Sequence, residues 1–404
     1  KRKGIERALG RDFAGKLAMW QVIARVIDQG SRLSAVRLAQ THAACDALDI
    51  KRGFDENDLY DNLRWLADNQ GKIEKTLFSV RRKNTRPEIF LYDVTSSYLE
   101  GVKNYFGEYG YNRDRKKGKQ QIVIGLLCDE FGEPVSTEVF AGNTQDTQTF
   151  ASQVKKAAER FGCKRVTFVG DRGMIKIPQI EKLKEGFHYI TAITKPQIDS
   201  LMDQEVIQIG LFDEDVFEVE HDSIRYILRR NPFRVKQINE SRISKRNSVD
   251  RLADKKNIYL REHKRAKIET AIKDVRKKII QLKIDKWLTV ISQQRTLELE
   301  VDNKSLEEAS RLDGCYCIKT DLPKEVADKQ IIHDRYKNLT EVERAFRTFK
   351  TDFLEVRPVY VQTDKSTRGH VLVVMLAYMI IRILRSAWRK FDLTVEEGLK
   401  QLST

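Results

Sequence analysis

The chain changes from a helical pattern to a strand-like one at Ile89, where it reads Ile89-Phe90-Leu91-Tyr92-Asp93-Val94-Thr95. Branched and aromatic residues dominate this run, as they do in strands that are buried on both faces. A lone carboxylate inside such a strand is costly to bury, so Asp93 requires a compensating partner. The pattern therefore predicts a core strand that carries a candidate functional acid.

Four further strands are predicted along the chain after this one. Their patterns cover residues 121–128, 134–140, 165–170 and 188–193, with helices predicted at 150–161 and 177–185. The order strand, strand, strand, helix, strand, helix, strand resembles a ribonuclease-H-like core. Such a core is a mixed five-stranded sheet with flanking helices, so the predicted fold class is α/β.

The domain organisation follows from where this pattern stops and resumes in the 404 residues. Helical periodicity predicts an all-α region over residues 1–85, and its basic opening leads us to expect that it binds DNA. The opening cations are Lys1, Arg2, Lys3, Arg7 and Arg11. The core would occupy 86–196 and resume over 331–404 with C-terminal helices, and 197–330 would form an inserted mixed α/β subdomain. The apolar run at 371–381 is too short to span a bilayer, so it predicts a buried helix and no membrane partner.

Positive charge is concentrated in one part of the chain. Lys plus Arg total 74 and Asp plus Glu total 59, a net of +15, and residues 229–286 hold 20 cations and 7 acids, a net of +13. A solvated helical face would explain one such run, but this surplus predicts nucleic acid or an anionic membrane surface as partner. The hydrophobic fraction of 41% excludes a wholly disordered chain.

Two basic features favour nucleic acid as the partner. An apolar seam at helical spacing predicts an amphipathic helix with its basic side toward DNA. The seam consists of Ile268, Ile272, Val275, Ile279 and Leu282. A second basic cluster predicts further DNA contacts. It consists of Arg113, Arg115, Lys116, Lys117 and Lys119.

The five cysteines include no Cys-x-x-Cys pair, which is typical of a reducing, cytoplasmic compartment.

A second carboxylate, Asp171, follows the predicted strand at 165–170, which would lie beside the strand that holds Asp93. Neighbouring carboxylates repel each other unless cations lie between them, and oxygen-only ligands suit Mg²⁺ or Mn²⁺. The pair is therefore a candidate metal site. The alternative is that Asp171 is an ordinary turn or cap residue, which is the commoner role of an Asp at a strand end.

A third carboxylate, Glu343, lies on a later predicted helix. The apolar stripe of this helix consists of Leu339, Val342, Phe346, Phe349 and Phe353. The stripe predicts packing on a core, and Glu343, Arg347 and Lys350 form a row beside it that could face the sheet edge. Two alternatives stay open for Glu343. It could close the helix start in a capping box with Thr340, or it could form a simple surface ion pair.

These residues resemble a known family. Tyr336-Lys337-Asn338-Leu339-Thr340-Glu341-Val342-Glu343, followed by Lys350, resembles the Tyr-x2-Arg-x3-Glu-x6-Lys signature of cut-and-paste bacterial insertion-sequence DDE transposases. Leu91-Tyr92-Asp93-Val94-Thr95 and Val169-Gly170-Asp171-Arg172-Gly173 resemble the contexts of the family's two aspartates, and Gly142-Asn143-Thr144 resembles the loop between them. The similarity covers residues 88–385. One position departs, because Leu339 stands where the signature has Arg.

The resemblance implies a DNA transposase on a ribonuclease-H-like fold that cleaves terminal inverted repeats and transfers the cut strands into target DNA. It implies that Asp93, Asp171 and Glu343 bind two Mg²⁺ ions, for which Mn²⁺ can substitute. The chemistry would be an in-line displacement that needs no covalent nucleophile.

The resemblance also implies the partners. Tyr336 and Lys350 would contact phosphates of the cleaved transposon end, and Arg335 and Arg347 are candidates to replace the missing signature Arg. The implied partners are double-stranded transposon-end DNA, target DNA and a second copy of the chain in a synaptic homodimer. The implied location is the bacterial cytoplasm, in association with the nucleoid.

Two other functions are compatible with the same residues. A catalytically inactive DNA-binding protein derived from a transposase would keep the basic surface without cutting DNA. A ribonuclease-H-like nuclease would cut DNA without producing a joined product. The three intact carboxylates favour an active transposase, and strand-transfer products would distinguish it from both alternatives.

Overall fold

The computed structural model describes residues 4–50, 53–81, 89–181, 183, 185–351, 354–357 and 359–402. The chain forms two compact units. Unit 1 is Lys1–Thr191 with Thr320–Thr404, and unit 2 is Ala192–Lys319. The predicted boundary between residues 85 and 86 lies outside the described residues, and the predicted four-part division of the chain stays a prediction.

Unit 1 begins with the helices that the periodicity predicts. They are α1 (Ile5–Leu9), α2 (Phe13–Ile27), α3 (Arg32–Ala39), α4 (Ala44–Ala47) and α5 (Glu56–Arg81). The side chain of Asp12 accepts a hydrogen bond from the Gly15 N–H at 2.9 Å and so caps α2. Trp20 on α2 and Leu59 and Leu63 on α5 are completely buried, which explains the apolar spacing of both helices.

The strands of unit 1 lie in the order β3-β2-β1-β4-β5. They are β1 (Ile89–Tyr98), β2 (Gln121–Asp129), β3 (Pro134–Ala141), β4 (Val166–Gly170) and β5 (Phe187–Ala192). β1 pairs antiparallel with β2 and parallel with β4, so the sheet is mixed as predicted. The connecting helices are α6 (Asp146–Lys155) and α7 (Ile177–Ile180). α7 is shorter than the predicted helix at 177–185, within which residues 182 and 184 lie outside the described residues.

Unit 2 contains the basic segment. Its elements are α8 (Lys195–Asp203), β6 (Phe217–His221), β7 (Ile224–Arg230), α9 (Pro232–Glu262), α10 (Ile268–Gln281), β8 (Leu288–Gln293), β9 (Thr296–Val301), α11 (Asn303–Ser310) and β10 (Cys315–Thr320). The predicted amphipathic helix is confirmed as α10. Val275 and Ile279 of its seam are buried against Val249 and Leu260 of α9, and Trp287 belongs to the same core.

The chain of unit 1 resumes with α12 (Lys329–Lys337), α13 (Leu339–Lys350), α14 (Asp364–Trp388) and α15 (Val395–Leu402). α13 packs on β1 and β2, and α14 packs on α2, α5 and β3. Leu339, Val342, Phe346 and Phe349 are buried as the stripe predicts, and Phe353 lies outside the described residues.

The apolar helix α14 agrees with the predicted buried helix. By length and composition alone, Asp364–Phe391 is apolar enough to cross a membrane, with a mean hydropathy of 1.8 over its most apolar window. All residues from Val371 to Met379 are nevertheless buried inside unit 1. A helix that is buried on every face is apolar all round, so the apolar composition of α14 is also that of a core helix in a globular unit.

Candidate active site

β1 presents Asp93 at its one half-buried position between Ile89 and Ser97, all other residues of that run being buried. The carboxylate accepts a hydrogen bond from the Val94 N–H at 2.7 Å. Burial raises the pKa of Asp93 to about 7, and the negative charges of Asp171 and Glu343 act in the same direction. A cation beside this carboxylate would favour its ionised form, so the site is suited to positive charge.

The register of the sheet explains how Asp171 meets Asp93. β1 and β4 run parallel with Tyr92 opposite Gly170, so the next residue on each chain is an aspartate. The two carboxylates therefore emerge side by side, Asp93 in the middle of β1 and Asp171 directly after β4 ends. Asp171 is exposed there, and its side chain accepts a hydrogen bond from the Arg172 N–H at 2.8 Å.

Glu343 reaches the same place from α13, which packs on β1. The capping-box alternative is wrong, because α13 begins without a side-chain cap and the Thr340 hydroxyl instead donates to the Lys337 carbonyl at 2.9 Å. The surface ion-pair alternative is wrong too, since within the described parts of the chain no cation pairs with Glu343. Its exposed carboxylate is available to a ligand.

The three carboxylates line one cavity of about 340 Å³. It is lined by Asp93, Val94, Thr95, Arg113, Asp146, Asp171, Glu343, Phe346, Arg347 and Lys350. Four acids and three cations thus share one depression beside the middle of β1. The structure brings together the predicted acids and three of the predicted DNA contacts, namely Arg113, Arg347 and Lys350.

Lys350 is held by a carboxylate that the sequence patterns do not single out. Its Nζ donates to Asp114 Oδ1 at 2.8 Å, and Arg357 Nη1 lies 2.5 Å from the same oxygen. The Asp114 side chain is only 1% exposed, and its other oxygen accepts from the Tyr98 N–H at 3.1 Å. Burial lowers the pKa of Lys350, and the adjacent Asp114 opposes that shift. Asp114 therefore fixes where this cation points.

Arg113 is oriented in a similar way by Asp146. Its Nη2 donates to both carboxylate oxygens of Asp146, at 2.8 and 2.9 Å. The sequence analysis does not identify Asp146, whose only signal is its position in the first turn of α6, directly after the Gly142-Asn143-Thr144 loop. That loop, with Lys176, lines a second cavity of about 350 Å³, which shares Arg113 and Asp146 with the first.

Tyr336 lies near the acids although it does not line their cavity. Burial raises the pKa of its hydroxyl, and the charges of Asp171, Glu343 and Asp93 raise it further. Its hydroxyl therefore stays protonated and can donate a hydrogen bond at any physiological pH.

The remaining predicted DNA contacts follow β1 in the loop before β2 and do not line the cavity. Arg115 and Lys117 are exposed. Lys116 lies over the Tyr98 ring at 5.6 Å, and Lys119 pairs with Glu100 at 2.8 Å. The structure therefore divides the predicted basic cluster, with Arg113 at the acids and the other four cations on the surface of the loop.

The donor set is compatible with a hard divalent cation, because carboxylate oxygens are what Mg²⁺ and Mn²⁺ prefer. Within the described ranges no three His, Cys, Asp or Glu side chains lie close enough to enclose a metal ion as they stand. The mutual repulsion that helps to raise the pKa of Asp93 is the feature a cation would relieve.

Comparison with known proteins identifies the family of the chain. The family model "Transposase DDE domain" matches residues 84–380. The chain belongs to this family, and it is a DNA transposase. No curated protein is similar enough to match it. The chain is similar to a cryo-EM structure of a piggyBac transposase synaptic complex with hairpin DNA, with a TM-score of 0.42 and 9% identity, over 96% of this chain and 69% of that one.

Proposed function

We propose that Asp93, Asp171 and Glu343 are the catalytic carboxylates of this transposase, which would cleave its transposon ends and join them to target DNA. The observation that carries the proposal is that all three line one cavity, although they come from a strand, a strand end and a helix far apart in sequence. None of the three forms an ion pair with a described residue. Their charge is therefore available for a ligand.

The same carboxylates would hold two Mg²⁺ ions, for which Mn²⁺ can substitute. When bound, the ions supply activation of the attacking hydroxyl and compensation of charge on the leaving oxygen. The protein's own contribution is to hold three acids in a partly desolvated site. The raised pKa of Asp93 supports this role, because a group that resists ionisation alone gains most from an adjacent cation.

The cations of the cavity would hold the DNA end. Lys350, fixed by buried Asp114, would bind one phosphate, and the Tyr336 hydroxyl would donate to another. The position of the missing signature arginine is filled by Leu339, which is 9% exposed and packs in the core. Arg347 lines the cavity and makes no ion pair with a described residue, so we assign the missing phosphate contact to it rather than to Arg335.

The loop cations would extend the DNA contact beyond the cavity. Arg113 is held by Asp146 at its wall, and Arg115, Lys116, Lys117 and Lys119 lie on the loop that leads away from it. Exposed lysines and arginines on a loop suit backbone phosphates, which need no rigid geometry.

The remaining proposals concern the whole molecule. The strand order β3-β2-β1-β4-β5 supports a ribonuclease-H-like core that is interrupted by a basic insertion. We also propose that the chain is a bacterial insertion-sequence transposase of the cut-and-paste class. It would act as a synaptic homodimer in the cytoplasm. The helical region over residues 1–85 would bind transposon-end DNA.

The test is a cleavage and strand-transfer assay on transposon-end DNA with Mg²⁺. Asp93→Asn, Asp171→Asn and Glu343→Gln keep the size of each side chain and remove its charge. We expect each to lower the cleavage rate by more than roughly 10³-fold while DNA binding in EDTA stays within about twofold. The matched control is Glu325→Gln, an exposed acid of unit 1 outside the cavity, which should cleave normally.

The outcomes separate the candidate functions. Joined products from the wild type that are lost in all three variants support a transposase with this site. Cleavage without joined products would favour the nuclease, and binding without cleavage would favour the inactive DNA-binding protein. Normal cleavage by Asp171→Asn would contradict the assignment of the site.

A further inference from the structure

Unit 2 contains a cleft that the proposed cleavage chemistry does not use. It has a volume of about 420 Å³ and is lined by one face of α9, the turn after α10 and Ala309 of α11. The lining residues are Arg234, Gln237, Ile238, Ser241, Arg242, Lys245, Lys283, Ile284, Trp287 and Ala309. Four of these ten residues are cations and none is an acid, so the cleft has the charge of an anion site.

Three of the four cations lack a carboxylate partner among the described residues. Arg242 is neutralised by Asp313 at 2.7 Å. Among the described residues, the Arg234 guanidinium donates only to the neutral amide oxygen of Gln237, at 3.0 Å, and neither Lys245 nor Lys283 forms an ion pair. Like charges gathered without counter-charges repel each other, which costs stability unless an anion binds between them.

Lys283 lies just after α10 in a backbone conformation that glycine usually adopts. The N–H of Lys283 bonds to the Ile280 carbonyl at 3.0 Å and the N–H of Ile284 to the Ile279 carbonyl at 3.3 Å, which is the Schellman ending of a helix. Its left-handed position usually holds glycine, but here Lys283 occupies it with φ +55°. A lysine is less stable than glycine in this conformation, so glycine can replace Lys283 and remove its charge without loss of stability.

We propose that this cleft binds a backbone phosphate of duplex DNA through Lys245, Lys283 and Arg234. The Ser241 hydroxyl and the Gln237 amide are hydrogen-bond donors at the same place. DNA is favoured over a small anion because the cleft opens along α9, whose 31 residues extend over roughly 46 Å and carry exposed cations along their length. The proposal rests on the transposase function for the identity of the polymer.

The test uses two variants in the full chain, Lys245→Gln and Lys283→Gly, alone and combined. Lys283→Gly places the preferred residue in the left-handed position, so its melting temperature should equal or exceed that of the wild type. Binding to a duplex is measured in EDTA over a range of salt concentrations. We expect the double variant to bind roughly five- to tenfold more weakly and its salt slope to fall by about 0.9, the value for one phosphate.

The matched control is Lys264→Gln with Lys304→Gln, which removes the same charge from exposed positions of unit 2 outside the cleft and outside α9. A clear loss in the cleft variant and a small one in the control supports the proposal. Equal losses would overturn it in favour of diffuse attraction, and unchanged DNA binding would overturn it outright. Binding of inorganic phosphate that the cleft variant loses while DNA binding is unchanged would assign the cleft to a small anion instead. Because EDTA removes divalent ions, these results do not depend on the catalytic carboxylates.

Discussion

Asp114 lies among Arg113, Arg115 and Lys116 in the sequence, yet its side chain is almost completely buried. It accepts from Lys350 and Arg357 on one oxygen and from the Tyr98 N–H on the other. Removal of one member of such a buried ion cluster is costly, because the charges of the remaining members are then left buried without compensation. Asp114 is thus a positioning residue for Lys350.

We expect Asp114→Ala to lower the free energy of unfolding by about 3–5 kcal/mol, since Lys350 and Arg357 lose a shared buried partner. Asp114→Asn keeps an acceptor for the Tyr98 N–H and should recover part of this loss. Urea denaturation of both variants checks the prediction. A loss below about 1 kcal/mol for Asp114→Ala would mean that the cluster is solvated, as exposed ion pairs are.

His370 on α14 is a buried group with a fixed protonation state. Arg32 Nη2 donates to its Nδ1 at 3.2 Å, so its Nε2 carries the proton and donates to the Val356 carbonyl at 3.3 Å. Burial lowers the pKa of His370 well below its usual value, and the charges of Arg32 and Arg25 act in the same direction. The native protein therefore holds this imidazole neutral.

The free energy of unfolding should fall as the pH drops below about 6.5, because the unfolded chain then binds a proton at His370 that the native state refuses. The contribution of one such group is at most about 1.4 kcal/mol per pH unit. His370→Gln removes it, so the variant should lose less stability than the wild type between pH 6.5 and 5. Parallel pH profiles of the two proteins would contradict this.

Between elements, the contact of the β2–β3 hairpin with α13 depends on one glycine. Gly132 has φ +71°, and a Cβ there would overlap the Cβ of Glu341. Arg382 of α14 links the hairpin to α13, because it donates to Glu133 at 3.1 Å and to Glu341 at 3.4 Å. These contacts hold the start of α13, and therefore Glu343, against the sheet.

Gly132→Ala should lower the free energy of unfolding by about 2–4 kcal/mol, through the left-handed backbone and the clash together. Gly118→Ala is the matched control, because Gly118 has φ +70° but no atom within 4 Å of an added Cβ. It should cost only about 1 kcal/mol. Equal losses in thermal or urea unfolding would show that the contact with α13 carries no energy.

The elements that could be predicted are those whose burial leaves a period in the sequence. β1 and β2 are buried at nearly every position and α13 is buried along one stripe, so continuous apolar runs and a helical stripe mark them. α9 escaped prediction because few of its 31 residues are buried, among them Val249 and Leu260, and its amino-terminal half is mostly exposed. A helix that is stabilised by a short apolar contact shows little hydrophobic periodicity in its sequence.

At the scale of the whole molecule, the candidate acids could be predicted because each lies in a recognisable local context. Asp114 and Asp146 could not, since their importance depends on cations that folding brings to them from Lys350 and Arg113. Ion pairs between residues far apart in the chain leave no regular spacing in the local sequence. The charge distribution was predictable, because residues 229–286 hold +13 of the net +15 and all of them lie within unit 2.

The account depends most on divalent ions gathering Asp93, Asp171 and Glu343. The most direct measurement is anomalous diffraction from crystals grown with Mn²⁺ and transposon-end DNA. We predict Mn²⁺ peaks within ligand distance, about 2.0–2.3 Å, of carboxylate oxygens from all three residues, and loss of the peaks in Asp171→Asn. Full-occupancy Mn²⁺ elsewhere in a complex that cleaves DNA, with this cavity free of metal, would contradict the account.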